Sequence, residues 1–381
     1  MGLSSSRHDI VQRRLSVINR IPPRALLALG LVTLCGILIA GLRPFHSPKN
    51  QVNWLEKENG LSFGRHGTVL SSGGFTTASG NAVSCSIEVW LEPADTWKSG
   101  TLIALYNPKA LRHFSLQQRY TDLALERDNV ALNRPGQNAE MIVVDVFRKR
   151  QAFVTVTSNG QDTEVYIDGH LASRSLGFGL SMEDLSDELI IANSPLRSNS
   201  WSGQLRGLAL YGSELDSAKV AQHFKEWTHQ GKPALTEDEN PIALYLFDER
   251  KGTVVHNQVR SGVDLTIPER YLVEDHIFLE PPWEEVHTQG YLKSIAINIA
   301  GFVPLGFFFY AYFSSARRMR GAAVATVLLG SIVSFTIEVI QAYLPTRYSG
   351  ITDIITNTLG TCIGVVLYRT VSISVAASCK R

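Results

Sequence analysis

Four apolar stretches set the limits on what this chain can fold into. A bilayer core about 30 Å thick takes roughly 20 apolar residues to cross as a helix. Residues 25–42 carry no charge, residues 291–313 only Lys293, residues 321–344 only Glu338, and residues 351–368 only Asp353. Hydrocarbon offers no partner for open backbone groups, so each stretch is expected to span as an α-helix.

Cation placement orients the spans. Arg7, Arg13, Arg14, Arg20 and Arg24 precede the first, with only Asp9 against them. Arg317, Arg318 and Arg320 follow the second; Arg369, Lys380 and Arg381 follow the fourth. If all four cross, these groups share one side, which is expected to be cytoplasmic, with both termini there. Residues 43–290 and the short loop 345–350 then lie outside. Ala40-Gly41-Leu42 is a poor cleavage site, so the first stretch reads as a retained anchor rather than a signal peptide.

The formal net charge of +1 hides an asymmetry. Residues 43–290 hold 32 acidic and 23 basic residues, a net of −9. An acidic domain without a basic stripe argues against nucleic acid as a partner. Of the four cysteines, Cys35 and Cys362 lie in apolar spans and Cys379 near the C-terminus, so Cys85 alone belongs to the globular part. One cysteine makes no internal disulfide, and Cys85 in an alternating strand reads as a small core residue. The expected organisation is a basic tail 1–24, a span 25–42, a globular domain 50–267, a connector 268–290, a bundle 291–368 and a tail 369–381.

The globular part reads as all-β. Cys85, Ile87, Val89 and Leu91 alternate along one strand face. Residues 164–171 read as strand, Asp168-Gly169 turn, strand, because Asp-Gly tolerates the positive φ of a tight hairpin. Residues 153–157, 189–192, 204–211 and 242–247 read as further strands, and the whole as a sandwich. Asp216 is a good N-cap for a helix over 217–227, with Leu215 packing on Val220 as a staple. Trp54, Trp97 and Trp201 have the chemistry to stack on sugar rings, but core packing is the simpler expectation for each. Asp184, Asp187 and Glu188 form an acidic loop without calcium-ligand spacing. No metal or cofactor site is expected anywhere in the chain.

These residues carry a family likeness. Ser86-Ile87-Glu88-Val89-Trp90-Leu91, then 164–171, then Trp201 to Tyr211 with the following helix, resemble the laminin-G-like, concanavalin A-like jelly rolls. The resemblance covers about 54–267 and implies glycan or protein binding. The fold class expected is therefore a multidomain membrane protein, a jelly-roll sandwich outside joined to a four-span helical bundle.

Within the spans the polar residues are patterned. Ser331, Ser334, Glu338 and Gln341 share one helical face; Asp353, Thr356, Asn357, Gly360 and Gly364 share another; Ser294, Asn298 and Gly301 a third. At about 1.5 Å per residue, Glu338, Asn357 and Asn298 lie about 9–10 Å below the outer surface and Asp353 about 5 Å. Arg347, in the outer loop, would hang over them. Carboxylates in hydrocarbon usually face a bundle interior or cavity. Gly360 and Gly364 also form a GxxxG pattern for close helix approach.

Asn298 with Phe302-Val303-Pro304-Leu305-Gly306, then Glu338-Val339-Ile340-Gln341, Arg347, and Asp353 to Gly360 resemble the VanZ-like family, named for a protein of teicoplanin resistance. The family's motif positions fall on Asn298, Pro304, Gly306, Glu338, Gln341, Arg347, Asp353, Asn357 and Gly360. Lys293-Ser294 stand ahead of Asn298, where an acid is expected in many relatives. The resemblance implies a bacterial inner-membrane protein of the cell envelope. The expected ligand is an amphiphile in the outer leaflet, a lipid-linked glycan precursor or lipoglycopeptide, held by Asn298, Glu338, Gln341, Arg347, Asp353 and Asn357. Two alternatives stand beside it. One is an intramembrane enzyme dividing acid and base roles between Glu338 and Asp353, though no nucleophile motif or phosphate loop is present. The other is a structural anchor displaying the outer domain to a glycan or protein partner.

Overall fold

The computed structural model describes residues 21–75, 83–107, 109, 112–129, 139–195, 199–260, 262–273, 278–279, 291–344, 346–347 and 349–378. Most of the basic N-terminal tail, most of the connector with Trp283, and Cys379, Lys380 and Arg381 lie outside the described residues. The chain divides into two units, Ser47–His276 and Met1–His46 with Ile277–Arg381.

The first unit is a sandwich of two antiparallel sheets. Its strands are β1 (Val52–Trp54), β2 (Leu61–Phe63), β3 (Val69–Gly74), β4 (Cys85–Pro93), β5 (Ser99–Asn107), β6 (Arg112–Arg119), β7 (Asp122–Asn129) and β8 (Ala139–Val143). There follow β9 (Ala152–Ser158), β10 (Thr163–Ile167), β11 (His170–Ser175), β12 (Glu188–Ile191), β13 (Gly203–Tyr211), β14 (Pro241–Tyr245), β15 (Val254–Val255) and β16 (Leu265–Thr266). One sheet runs β1-β2-β13-β4-β9-β10-β11 with β14 paired to β13; the other runs β15-β16-β3-β12-β5-β6-β7-β8. Alternation decides what each strand buries. Cys85, Ile87, Val89 and Leu91 of β4 enter one core with Phe114 and Leu116 of β6 and Leu123 and Leu125 of β7 from the facing sheet. Burial pushes the Cys85 thiol far above its ordinary range, as suits a packing residue.

The other face of the first sheet carries a helix. It spans Ser217–Gln230, and the Asp216 side chain accepts from the Lys219 backbone N–H. Leu215 and Val220 pack together with Trp227 on Phe153 and Tyr211. A Cβ at Gly207 would collide with the Trp227 ring, so glycine is what lets the indole lie on the strand. The hairpin turn has Asp168 at φ 51° and Gly169 at φ 78°, the left-handed geometry that Asp-Gly favours.

Two expectations are corrected. The strand over 242–247 stops at Tyr245, because Phe247 adopts φ 50° and leaves the ladder. Trp201 is core and Trp54 half-buried, but Trp97 is 84% exposed, since it rides on a turn between β4 and β5 rather than on a strand. Asp184 closes a capping box with Ser181 and pairs with Arg127 at 3.1 Å, while Asp187 accepts from Asn107 at 2.8 Å. Both carboxyls are therefore engaged in fixing the fold.

Among the described residues, the second unit contains four helices long and apolar enough to cross a membrane. Pro23–Leu42 begins the bundle, with proline in its first turn where a missing N–H does no harm. Tyr291–Ala311 continues through a π-turn at Tyr312–Ala316; Ala322–Gln341 and Ile351–Ser378 follow. In chain order the spans are called M1 to M4. M2 and M4 meet backbone to backbone. A Cβ at Gly306 would strike the Thr361 carbonyl, one at Gly360 the Ile299 carbonyl, and one at Gly364 the Val303 carbonyl. The small-residue pattern thus forms a helix seam. Tyr310, Tyr312 and Tyr368 gather at one end with Arg317 and Arg369, both guanidiniums over tyrosine rings. Amphipathic aromatics with arginines mark a membrane–water interface.

Candidate functional site

At the other end of the bundle, one turn of M3 serves the ends of two neighbouring helices. Helix termini leave N–H or C=O groups open, and hydrocarbon cannot satisfy them. Glu338 is 1% exposed. Its Oε2 accepts at 2.8 Å from the N–H of Gly350, the residue before M4. A carboxyl there also complements the positive end of the helix dipole. Three residues on, Gln341 Nε2 donates at 2.7 Å to the carbonyl of Gly41, in the last turn of M1. The residue types match their tasks: an acceptor at a helix start, a donor at a helix end.

Two further pairs tie the bundle. Asn298 Nδ2 on M2 donates to Asp353 Oδ1 on M4 at 2.7 Å. Asn357 Nδ2 on M4 donates to Ser334 Oγ on M3 at 2.9 Å. Ser331 and Thr358 hydroxyls meet at 3.1 Å across the same M3–M4 contact. Arg347 is half-buried in the M3–M4 turn, its N–H donated to the Leu344 carbonyl at 2.9 Å, and it acts electrostatically on Asp353.

All six residues singled out by sequence therefore lie at this end, and their described hydrogen bonds run to several different partners. Their partners on M4 run from Gly350 through Asp353 to Asn357, a spread of about 10 Å along a helix axis. The single level inferred from residue counting is therefore stretched along the bundle. Glu338 and Asp353 are each bonded to a different partner.

The geometry adds a residue that periodicity did not flag. Thr352 is buried, and its Oγ1 has no hydrogen-bond partner among the described residues; the same holds for Gln341 Oε1 and Asn357 Oδ1. Gly350-Ile351-Thr352-Asp353 carries the signal in hindsight, since Gly, Thr and Asp are helix-start residues.

Comparison with known proteins places both units. Residues 242–373 match the VanZ/LLP1 family, and residues 66–221 match the family described as the concanavalin A-like lectin/glucanases superfamily. The chain joins a concanavalin A-like module to a VanZ-type membrane module. The VanZ/LLP1 match starts well before M2, taking in β14 to β16 of the sandwich. No curated protein matches the chain significantly.

Several solved structures resemble it. They include the binding domain of Paraclostridial Mosquitocidal Protein 1, at 13% identity and TM-score 0.35, covering 48% of this chain and 47% of that one. A SAP-like pentraxin from Limulus polyphemus shows 11% identity and TM-score 0.35, covering 59% of this chain and 97% of that one. A putative carbohydrate binding protein from Bacteroides ovatus shows 12% identity and TM-score 0.35, covering 58% of each. The chain spans about half the length of the first of these.

Proposed function

We propose that the VanZ-type bundle binds the polar head of an amphiphilic envelope molecule in the outer leaflet, while the sandwich engages envelope glycan or a protein partner. One observation carries this reading. Gln341 Oε1, Thr352 Oγ1 and Asn357 Oδ1 are buried between apolar helices without a hydrogen-bond partner among the described residues. Each such group costs about 1–3 kcal/mol unless something supplies a bond. Two are amide oxygens, which only accept, and the third is a hydroxyl. They call for donors, as the hydroxyls or amines of a sugar or peptide head would provide. Arg347 adds a cation suited to phosphate or carboxylate. A lipid-linked glycan precursor and a lipoglycopeptide both present this chemistry.

The test is photocrosslinking of full-length protein in nanodiscs to a polyprenyl-diphosphate disaccharide bearing a photoactivatable group. Labelling is expected to fall at least about tenfold in Gln341→Leu and Asn357→Leu, each of which removes an orphan acceptor. Undiminished labelling of both folded variants would count against binding at this end.

A second reading is favoured by a different observation. The interhelical bonds of Glu338, Gln341, Asn298 and Asn357, with the glycine seam, are also what a rigid inert anchor needs. It predicts that an unrelated membrane anchor replacing M2 to M4 leaves the cellular phenotype intact. Loss of the phenotype in that chimaera favours the binding reading.

A further inference from the structure

Trp97 is the most exposed large apolar side chain of the described residues, at 84%. An indole held in water on a rigid base is unusual, and the base here is rigid. Asp95 Oδ1 accepts from the Trp97 N–H at 2.8 Å and its carboxyl pairs with Lys98 at 3.4 Å, which fixes the turn. Tyr120, 48% exposed, sits on the neighbouring β6–β7 turn, and its N–H donates to the Lys98 carbonyl at 3.2 Å. Buried Gln118 locks the two turns together: its Nε2 donates to the Asp95 and Tyr120 carbonyls, both at 2.8 Å, and its Oε1 accepts from core Trp201 at 2.7 Å. A third turn joins them, since the Phe147 N–H donates to the Thr121 carbonyl at 2.8 Å.

That third turn carries Arg148-Lys149-Arg150, the one run of three consecutive cations between residues 43 and 290. All three are exposed, and Arg150 is close enough to act on Asp95. Arg148 pairs with Asp145. Lys149 and Arg150 form no ion pair among the described residues. Although residues 43–290 carry a net charge of −9, two aromatic residues and two cations without an ion pair among the described residues share one stitched set of loops.

We propose that this Trp97–Tyr120 end of the sandwich is a binding platform for an anionic polysaccharide. The inference rests on reading the sandwich as a glycan-binding module and names where and what it binds. A pyranose ring offers an apolar face to Trp97, much as stacking serves other aromatic platforms. Lys149 and Arg150 meet the carboxylates or phosphates along the chain. Charged side chains interrupt the aromatic surface, which suits a ring with an apolar face and a polar rim better than it suits lipid. Preformed loops bind with a smaller ordering penalty.

The test uses full-length protein in detergent micelles, with polygalacturonate, alginate and hyaluronate as anionic probes and dextran as the neutral one. Vesicles of phosphatidylglycerol and phosphatidylcholine test the lipid alternative. The expected result is binding to at least one anionic polymer and not to dextran. That binding falls at least about tenfold in Trp97→Ala and also falls in the K149E/R150E double variant. Unchanged affinity in Trp97→Ala overturns the placement while leaving a glycan site elsewhere on the module. Equal binding of dextran overturns the anionic class. Vesicle binding lost in Trp97→Ala, with no polymer bound, overturns the polysaccharide in favour of lipid. Binding of nothing overturns both this inference and the glycan reading of the sandwich, and leaves the proposal for the bundle standing.

Discussion

Glu338 and Gln341 stand one turn apart on M3 and close the ends of two other helices. Removing the Glu338 acceptor leaves the Gly350 N–H open in an apolar surround. Glu338→Ala is therefore expected to destabilise the detergent-solubilised protein by about 1–3 kcal/mol. Glu338→Gln, which keeps an acceptor, is expected to lose less; thermal denaturation followed by circular dichroism separates the two. In the sandwich, His223 is buried between two carboxyls, with Nδ1 2.9 Å from Glu88 and Nε2 3.3 Å from Glu239. Tyr211 and Trp227 also donate to Glu88, and Lys219 bonds Glu239. Burial alone lowers the histidine pKa, but the hydrogen bond and charge of Glu88, with the charges of Glu239 and Glu226, outweigh it and the pKa is raised. A raised folded pKa means the stabilisation is whole below the ordinary histidine range and is lost as pH rises through the folded value. The sandwich transition in full-length protein is thus expected to move to lower temperature from pH 6 upward, and to flatten in His223→Gln. An unmoved transition contradicts the charged bridge. Neither arrangement was legible from spacing alone. Glu88 lies on β4 and His223 on a helix 135 residues later, and only the sheet order brings them together.

At the scale of elements, periodicity read well wherever one face is buried. The β4 alternation and the Asp216-capped helix form as their patterns predict, and the four apolar stretches all form helices, the last running on to Ser378. Asp216→Ala is expected to lose about 1 kcal/mol through the open Lys219 N–H, measurable by urea denaturation of the sandwich signal. The M2–M4 seam makes a sharper test. Gly360→Val places branched carbon against the Ile299 carbonyl, whereas Gly301 has open space within 4 Å of a built Cβ. Disulfide crosslinking between cysteines placed on M2 and M4 is expected to drop in Gly360→Val and persist in Gly301→Ala. Trp97 was misjudged because apolar content says nothing of which side of a turn a ring faces. Strand 242–247 was overextended because the positive φ at Phe247 has no signature in a run of apolar residues.

Across the whole molecule, two kinds of asymmetry were visible in the sequence: acidic sandwich against basic flanks, and acidic and amide side chains gathered toward one end of the last three spans. The membership of the polar end was legible because each residue sits on a helical face and the VanZ-type motifs mark it. Its pairing was not, since which donor meets which acceptor depends on helix rotation and stagger. We propose that the orphan acceptors at that end receive the head of an envelope amphiphile. Native mass spectrometry of lipids co-purified with the full-length protein tests it most directly, comparing wild type with Arg347→Ala and Asn357→Leu. One class with a sugar- or phosphate-bearing head is expected to be retained by wild type and lost in both variants at equal folding. An identical lipid profile in all three, with no such class enriched, would contradict it.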